Sequence, residues 1–126
     1  MANDKVEHQP VMLEEVLQAL AVKPSGVYVD GTFGRGGHSA ALLAQLNEQG
    51  KLLAMDQDPQ AIVVGLQRFA DDARFEIVQA NFASLATECA ARDLAGKLDG
   101  VLLDLGVSSP QLDDAARGFR DRKSVV

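Results

Sequence analysis

Residues 27–38 read VYVDGTFGRGGH, a short apolar strand that ends at an acid and continues into a loop with four glycines. Glycine adopts positive φ without strain and lets the backbone approach a ligand closely, so such a loop is typical of nucleotide-cofactor binding. Asp30, at the strand end, would repel the pyrophosphate of a dinucleotide. A cationic ligand would be attracted, and S-adenosylmethionine carries a sulfonium and an ammonium group. The loop therefore favours S-adenosylmethionine, with Gly34 and Gly36 close to it, although an ordinary strand-to-helix turn remains the alternative.

Strands and helices alternate along the rest of the chain. An amphipathic helix that opens at Pro10 precedes the first strand. Short strands separated by helical stretches imply right-handed βαβ units, a parallel sheet and an α/β fold, with the expected strand order 3-2-1-4. The pattern predicts strands at 26–30, 51–55, 74–78 and 99–104, and helices at 37–48, 59–70 and 82–94.

Acids stand at the ends of three predicted strands: Asp30, Asp56 and Asp104. Asp56 follows the glycines by about 20 residues, where a carboxylate accepts hydrogen bonds from ribose hydroxyls. Asp58 precedes Pro59, the signature of a helix N-cap. In the expected strand order all three strand-end acids share the edge where open α/β sheets bind ligands. The alternative is that each acid only caps the helix or turn after it.

Composition limits the other classes of function. The chain has 126 residues, enough for one domain, and a formal net charge of −6, which is unlike a protein that grips nucleic acid through a basic face. No apolar run is long enough to span a bilayer and no export signal is recognisable, so we expect a cytoplasmic protein. One cysteine, Cys89, and two histidines are too few soft ligands for a metal site, and we expect no metal.

The loop after the fourth predicted strand reads LGVSSPQLDD at residues 105–114. An exocyclic amine conjugated to a base is a poor nucleophile, and oxygen acceptors that hold its hydrogens free its lone pair. A Ser-Pro loop at this position is the type seen for cytosine N4, which makes Ser109 and Pro110 the candidate catalytic residues. Ser-Ser-Pro also forms ordinary turns.

Four segments together resemble the bacterial 16S ribosomal RNA (cytosine-N4)-methyltransferase family, also called RsmH or MraW. They are HQPVML at 8–13, YVDGTFGRGGHS at 28–39, DQDPQA at 56–61 and DGVLLDLGVSSPQLD at 99–113. The resemblance runs from about His8 to Phe119. It implies a Rossmann-like class I methyltransferase fold, S-adenosylmethionine as methyl donor, and a cytosine of the small ribosomal subunit as acceptor. By matching position, it implies cofactor contacts at Gly36, Gly37, His38, Asp56, Phe82, Asp104 and Gln111.

Three of those contacts rest on the resemblance, and each has a physical interpretation. Phe82 follows the third predicted strand, where its ring could pack on adenine or equally fill the core. His38 begins a helix, so its backbone N–H could serve as well as its ring. Gln111 offers a donor and an acceptor, which suits an adenine edge or a ribose.

The resemblance also predicts how the chain is organised. Residues 1–119 correspond to the N-terminal part of the methyltransferase domain, whereas 120–126 are unlike the family and 121–126 have the sequence of an adapter scar. We therefore expect a fragment whose sheet stops after the fourth strand, leaving an exposed apolar edge there. We also expect the fragment to lack turnover. The alternatives are a cofactor-binding fragment without an enzymatic role and a fragment of an NAD-dependent oxidoreductase.

Overall fold

A computed structural model describes residues 13–103 and a short strand at Ser124–Val125. The described residues form a five-stranded sheet in the order β3-β2-β1-β4-β5. The helices are α1 Leu13–Leu20, α2 Gly37–Gln45, α3 Pro59–Arg68 and α4 Leu85–Ala91, with a 3-10 turn at Phe82–Ser84 before α4. The strands are β1 Val27–Asp30, β2 Lys51–Asp56, β3 Phe75–Gln79, β4 Gly100–Leu102 and β5 Ser124–Val125.

Every pairing in the sheet is parallel, and the predicted order 3-2-1-4 is confirmed. Asp30, the last residue of β1, is in register with Ala54 of β2 and Leu102 of β4. Asp56, the last residue of β2, pairs with Gln79. The carboxyl ends of β1 and β2 therefore meet at one edge of the sheet, as a ligand site in an open α/β fold requires.

The central strands β1, β2 and β4 are largely buried on both faces, as expected of parallel strands covered by crossover helices, whereas the edge strand β3 is only half-buried. Successive residues of β1 point to opposite faces. Val29 packs with Cys89 on the face covered by α4, and Tyr28 packs with Leu42 on the face covered by α1 and α2. A third cluster, centred on the loop residue Phe33, joins that loop to α3.

Three helices end earlier than the sequence predicts. Helix α3 ends at Arg68 rather than 70. Helix α2 ends at Gln45 rather than 48, because Asn47 forms a turn in which its side-chain oxygen accepts from the Gln49 N–H at 2.8 Å. The stretch predicted as a helix at 82–94 begins as a 3-10 turn and its α-helix ends at Ala91. Asp93 then adopts φ 59°, a left-handed conformation typical of helix ends.

A fifth strand lies beside β4, where the sequence predicts an exposed edge. Gly100 pairs with Ser124 and Val101 with Val125. The unpaired N–H and C=O groups of an edge strand are a template for another extended segment, and valine favours that conformation. The sheet of the described residues therefore continues one strand beyond the four predicted.

Cys89 is fully buried between α4 and the sheet, and burial raises the pKa of its thiol. Cys89 is therefore a small apolar core residue. In the part of the chain that is described, no helix has the length and apolar character needed to cross a membrane.

Candidate cofactor site at the carboxyl ends of β1 and β2

The glycine loop occupies residues 31–36 between β1 and α2. Two of its glycines have positive φ, 59° at Gly34 and 92° at Gly36, so the loop needs glycine at these positions for conformational reasons. Gly36 is the N-cap residue of α2. The sequence prediction of a tight glycine turn leading into a helix is therefore confirmed.

Backbone hydrogen bonds fix the base of this loop to the two neighbouring strands. The Gly31 N–H donates to the Leu102 carbonyl at 2.8 Å, and the Phe33 N–H donates to the Met55 carbonyl at 3.0 Å. The Gly36 N–H donates back to the Phe33 carbonyl at 2.9 Å. The rigid sheet thus sets the position of the turn at Gly34–Gly36 above it.

Asp30 lies beneath the loop and is fully buried. One carboxylate oxygen accepts a hydrogen bond from the Ser39 hydroxyl at 2.7 Å, and the other accepts from the Thr32 N–H at 3.1 Å. These contacts join the end of β1 to the loop and to the first turn of α2. The negative charge predicted for this strand end is present, but its carboxylate is directed to Ser39 and Thr32.

Asp56 reaches the glycine turn directly, a contact that sequence reasoning missed. Its Oδ2 accepts from the Gly34 N–H at 2.8 Å and its Oδ1 accepts from the Asp58 N–H at 3.0 Å. An ionised carboxylate has about four acceptor positions, so two backbone donors leave capacity for further donors. Asp56 is partly exposed. Its carboxylate can therefore accept hydrogen bonds from hydroxyl groups of a ligand while it holds the loop.

Asp58 has the capping role that the sequence predicts. Its side chain accepts from the Gln60 N–H at 2.9 Å, and Pro59 occupies the first position of α3. The two neighbouring acids therefore differ: Asp58 is used by its own helix, whereas Asp56 faces the loop after the adjacent strand.

A cavity of about 450 Å³ lies beside this pair. It is lined by Gly34, Arg35, Asp56, Asp58, Gln60, Ala61 and Val64. A larger cavity of about 670 Å³ surrounds the α3–β3 connection, at the opposite end of β3 from Gln79. The smaller of these two cavities is the candidate cofactor site, because it adjoins the glycine turn and a strand-end acid and the larger one does not.

The glycines differ in the space beside them. A Cβ at Gly36 would lie 2.8 Å from both Arg68 Nη1 and Phe33 Cζ, whereas a Cβ at Gly34 would meet no atom within 4 Å. Gly34 and Gly37 are exposed and Gly36 is buried. Gly34 therefore offers the free approach that a ligand needs, and Gly36 serves the packing of the loop.

His38 and Phe82 are both buried near the loop. His38 lies in the first turn of α2 and is 7% exposed. Phe82 is 2% exposed and belongs to the core cluster under α4, with Cδ1 3.0 Å from the position a Cβ on Gly31 would take. Of the two interpretations of Phe82, the core-filling one describes its surroundings here.

Arg68, at the end of α3, makes a second contact with the glycine loop that the sequence does not predict. Its Nη1 donates to the Arg35 carbonyl at 2.7 Å, across 33 residues. No motif signals this contact, because it depends on where the last turn of α3 lies relative to the loop.

The remaining candidate residues, Asp104, Ser109, Pro110 and Gln111, lie outside the described residues. Within the residues described, His, Cys, Asp and Glu form no group of three or more that could hold a metal ion.

Comparisons with known proteins agree with this architecture. The model of the MraW methylase family matches residues 5–124. The ribosomal RNA small subunit methyltransferase H of Alteromonas mediterranea is 58% identical over 116 residues, which are 92% of this chain and 37% of that protein. The chain thus spans little more than a third of the length of this curated relative.

Solved structures share the fold. An rRNA methylase from Streptococcus thermophilus superposes with a TM-score of 0.68 at 22% identity, covering 91% of this chain and 65% of that one. A Streptococcus mutans protein in complex with SAH (S-adenosylhomocysteine) superposes with a TM-score of 0.64 at 13% identity, covering 91% and 66%. These likenesses identify a Rossmann-like class I methyltransferase fold.

Proposed function

The chain belongs to the MraW methylase family, and from this membership we propose that it holds S-adenosylmethionine for methylation of the N4 amine of a cytosine in 16S ribosomal RNA. The similar curated protein is named for methylation of small-subunit ribosomal RNA. The proposal extends that substrate to this chain and places the reaction in the cytoplasm.

One observation carries the cofactor half of the proposal, namely the position of Asp56 beside Gly34. The carboxylate is fixed by two backbone N–H groups at 2.8 and 3.0 Å and keeps acceptor capacity for the two ribose hydroxyls. A Cβ added at the exposed Gly34 would meet no atom within 4 Å outside the adjacent residues Phe33 and Arg35. A ribose with its hydroxyls on Asp56 and its ring against Gly34 fits both features.

The charge of the edge also fits this cofactor. Asp30 is buried under the loop and Asp56 contacts it, so two carboxylates give this small region a negative charge. Such a region favours a sulfonium and an ammonium group over the pyrophosphate of a dinucleotide. When bound, S-adenosylmethionine supplies an electrophilic methyl group.

The acceptor half of the proposal rests on sequence. Ser109 and Pro110 follow β4, so we place their oxygen acceptors at the same sheet edge as the cofactor site. We propose that they hold the hydrogens of the cytosine amine and direct its lone pair towards the methyl group. By their match to the family, we propose that Asp104 and Gln111 also contact the cofactor.

Calorimetric titration of the 126-residue chain with S-adenosylhomocysteine tests the cofactor assignment. We expect saturable 1:1 binding, and no comparable heat with NAD in a parallel titration. Binding of NAD in preference to S-adenosylhomocysteine would reject the assignment and favour an oxidoreductase. Asp56→Ala provides the site control, since its loss of binding would place the heat at this edge.

Transfer of tritium from labelled S-adenosylmethionine to small subunits that lack this methylation tests the reaction. We expect no incorporation with these 126 residues alone, because 18 acidic against 12 basic side chains oppose association with a polyanion. A protein of the relatives' full length is the positive control. Incorporation by the 126 residues at about a hundredth of the control rate would show that they suffice for the acceptor site.

A further inference from the structure

We infer that Arg68 is a positioning residue of the cofactor loop, which it holds from the end of α3 by a hydrogen bond to the Arg35 carbonyl. This inference rests on the proposed function, because the loop is taken to be a cofactor loop. Arg68 would not touch the cofactor. It would act by fixing the peptide between Arg35 and Gly36.

The contact is well defined for an exposed side chain. Arg68 Nη1 lies 2.7 Å from the Arg35 oxygen and 2.8 Å from the position that a Cβ on Gly36 would occupy. The guanidinium carbon lies 5.0 Å from the centroid of the Phe69 ring, a cation–π distance. Phe69 in turn meets the loop residue Phe33 edge-on, with ring centroids 6.2 Å apart. The guanidinium is therefore supported by the aromatic cluster that anchors the loop.

The bond acts at the most adaptable part of the loop. Arg35 lies between Gly34 and Gly36, both with positive φ, and glycine peptides reorient at little steric cost. Holding the Arg35 carbonyl towards α3 keeps the N–H of the same peptide, that of Gly36, directed to the Phe33 carbonyl at 2.9 Å. Arg68 thus opposes a flip of this peptide.

Arg68 and Asp56 hold opposite kinds of backbone group in the same turn. Asp56 accepts from the Gly34 N–H, and Arg68 donates to the Arg35 carbonyl. Asp56 ends β2 and Arg68 ends α3, so consecutive elements fasten the turn at two points. With both bonds made, the turn has its ligand-binding conformation before the ligand arrives, and preorganisation of this kind increases affinity.

The test uses Arg68→Met, which keeps the aliphatic stem and removes the donor, and Arg68→Lys, which keeps one charged donor. Gln67→Met, at an exposed neighbouring position on α3, is the matched control. Affinity for S-adenosylhomocysteine is measured by calorimetry and exchange of the Gly36 amide by NMR, with the melting temperature as a check of folding. We expect Arg68→Met to weaken binding about fivefold and to accelerate Gly36 exchange. Arg68→Lys should restore part of both.

A purely structural role at the end of α3 would change the melting temperature without changing affinity or Gly36 exchange. Unchanged affinity and exchange in folded Arg68→Met would therefore overturn the inference. If Arg68→Met does not fold, the same two readouts on Arg68→Lys decide. Absence of binding in the unmodified chain would contradict the proposed function instead, and Gly36 exchange alone would then decide the role of Arg68.

Discussion

At the amino end of β3, Arg74 donates to the Leu43 and Leu46 carbonyls at 2.8 and 2.7 Å and to both carboxylate oxygens of Asp72. At the carboxyl end of β2, Asp56 accepts hydrogen bonds from two backbone N–H groups, and it lies beside an exposed turn and a cavity. Both charged groups hold a neighbouring segment of backbone. They differ in the hydrogen-bonding capacity that remains for a ligand. The Arg74 guanidinium is surrounded by protein acceptors, whereas the Asp56 carboxylate can still accept further hydrogen bonds.

The difference shows how the two ends of one sheet come to serve stability and binding. The Arg74–Asp72 pair closes the end of α2 against the start of β3, and the hydrogen bond with Arg74 lowers the pKa of Asp72. At the opposite end, the Asp30 carboxylate is buried beneath the loop and bonded within the protein, whereas the Asp56 carboxylate above it is partly exposed. We call a charged group of the first kind closed and one of the second kind open. We therefore expect changes at closed groups to alter stability, and changes at open groups to alter ligand affinity.

The largest effect is expected for Asp30→Ala. The variant leaves the buried Ser39 hydroxyl and the Thr32 N–H without their charged acceptor, so we expect the free energy of unfolding to fall by about 3 kcal/mol. Urea denaturation measures this loss. Asp30→Asn keeps the shape and one acceptor, and should lose less. A well-folded Asp30→Ala that fails to bind S-adenosylhomocysteine would instead make Asp30 an open group like Asp56.

Asp56→Ala should affect binding more than stability, because the Gly34 and Asp58 N–H groups that lose its carboxylate are exposed and can bond to water instead. Loss of a charged acceptor for the ribose hydroxyls should weaken the binding free energy of S-adenosylhomocysteine by ~1–3 kcal/mol. Asp58→Ala is the matched control, because this acid caps α3 and its removal should lower stability by ~1 kcal/mol. If Asp58→Ala weakens binding more than Asp56→Ala in equally folded proteins, the assignment of the two acids is wrong.

Local sequence signals were sufficient for the parts of this molecule that depend on neighbouring residues. The cap at Asp58 and the left-handed turn at Gly36 follow from short motifs, and the structure confirms them. The strand order 3-2-1-4 is an expectation from the α/β fold class rather than from a local signal, and the structure confirms it too. The end of α4 at Ala91 was not predicted, because Asp93 has a left-handed conformation that no sequence signal required.

Contacts between distant segments could not be predicted in the same way. Asp56 was assigned to a ligand from its spacing, but its bond to Gly34 depends on how closely the two loops approach. Arg68 carries no motif at all, and its bond to Arg35 depends on the orientation of α3 on the sheet. Sequence therefore proposes Asp56 as the ligand-facing acid but does not predict the backbone groups that hold it.

Gly34→Ala tests whether the turn is open to a ligand. Gly34 has φ 59° and no atom within 4 Å of an added Cβ, and Gly96 has φ 76° and the same free space. Alanine should therefore cost each site a similar ~1–2 kcal/mol of stability through backbone strain. Only Gly34→Ala should also weaken binding of S-adenosylhomocysteine, about tenfold, by placing a methyl group against the ligand. Equal affinity in the two variants would show that no ligand approaches Gly34.

The smallest effect is expected at the closed amino end. Because the hydrogen bond with Arg74 lowers the pKa of Asp72, the ionised side chain stabilises the fold above its unfolded pKa of about 4, and this contribution disappears as the pH falls through the folded pKa. Asp72→Asn should therefore lower the free energy of unfolding at pH 7 by about 1 kcal/mol, and the difference from the unmodified chain should shrink as the pH falls below the unfolded pKa and through the lowered folded pKa. Asp71→Asn, at the exposed neighbouring position, is the control and should change neither value. Affinity for S-adenosylhomocysteine should stay constant in both variants, because Asp72 lies at the other end of the sheet from Asp56. A loss of affinity in Asp72→Asn would mean that the two ends are coupled and that the separation of stability from binding fails.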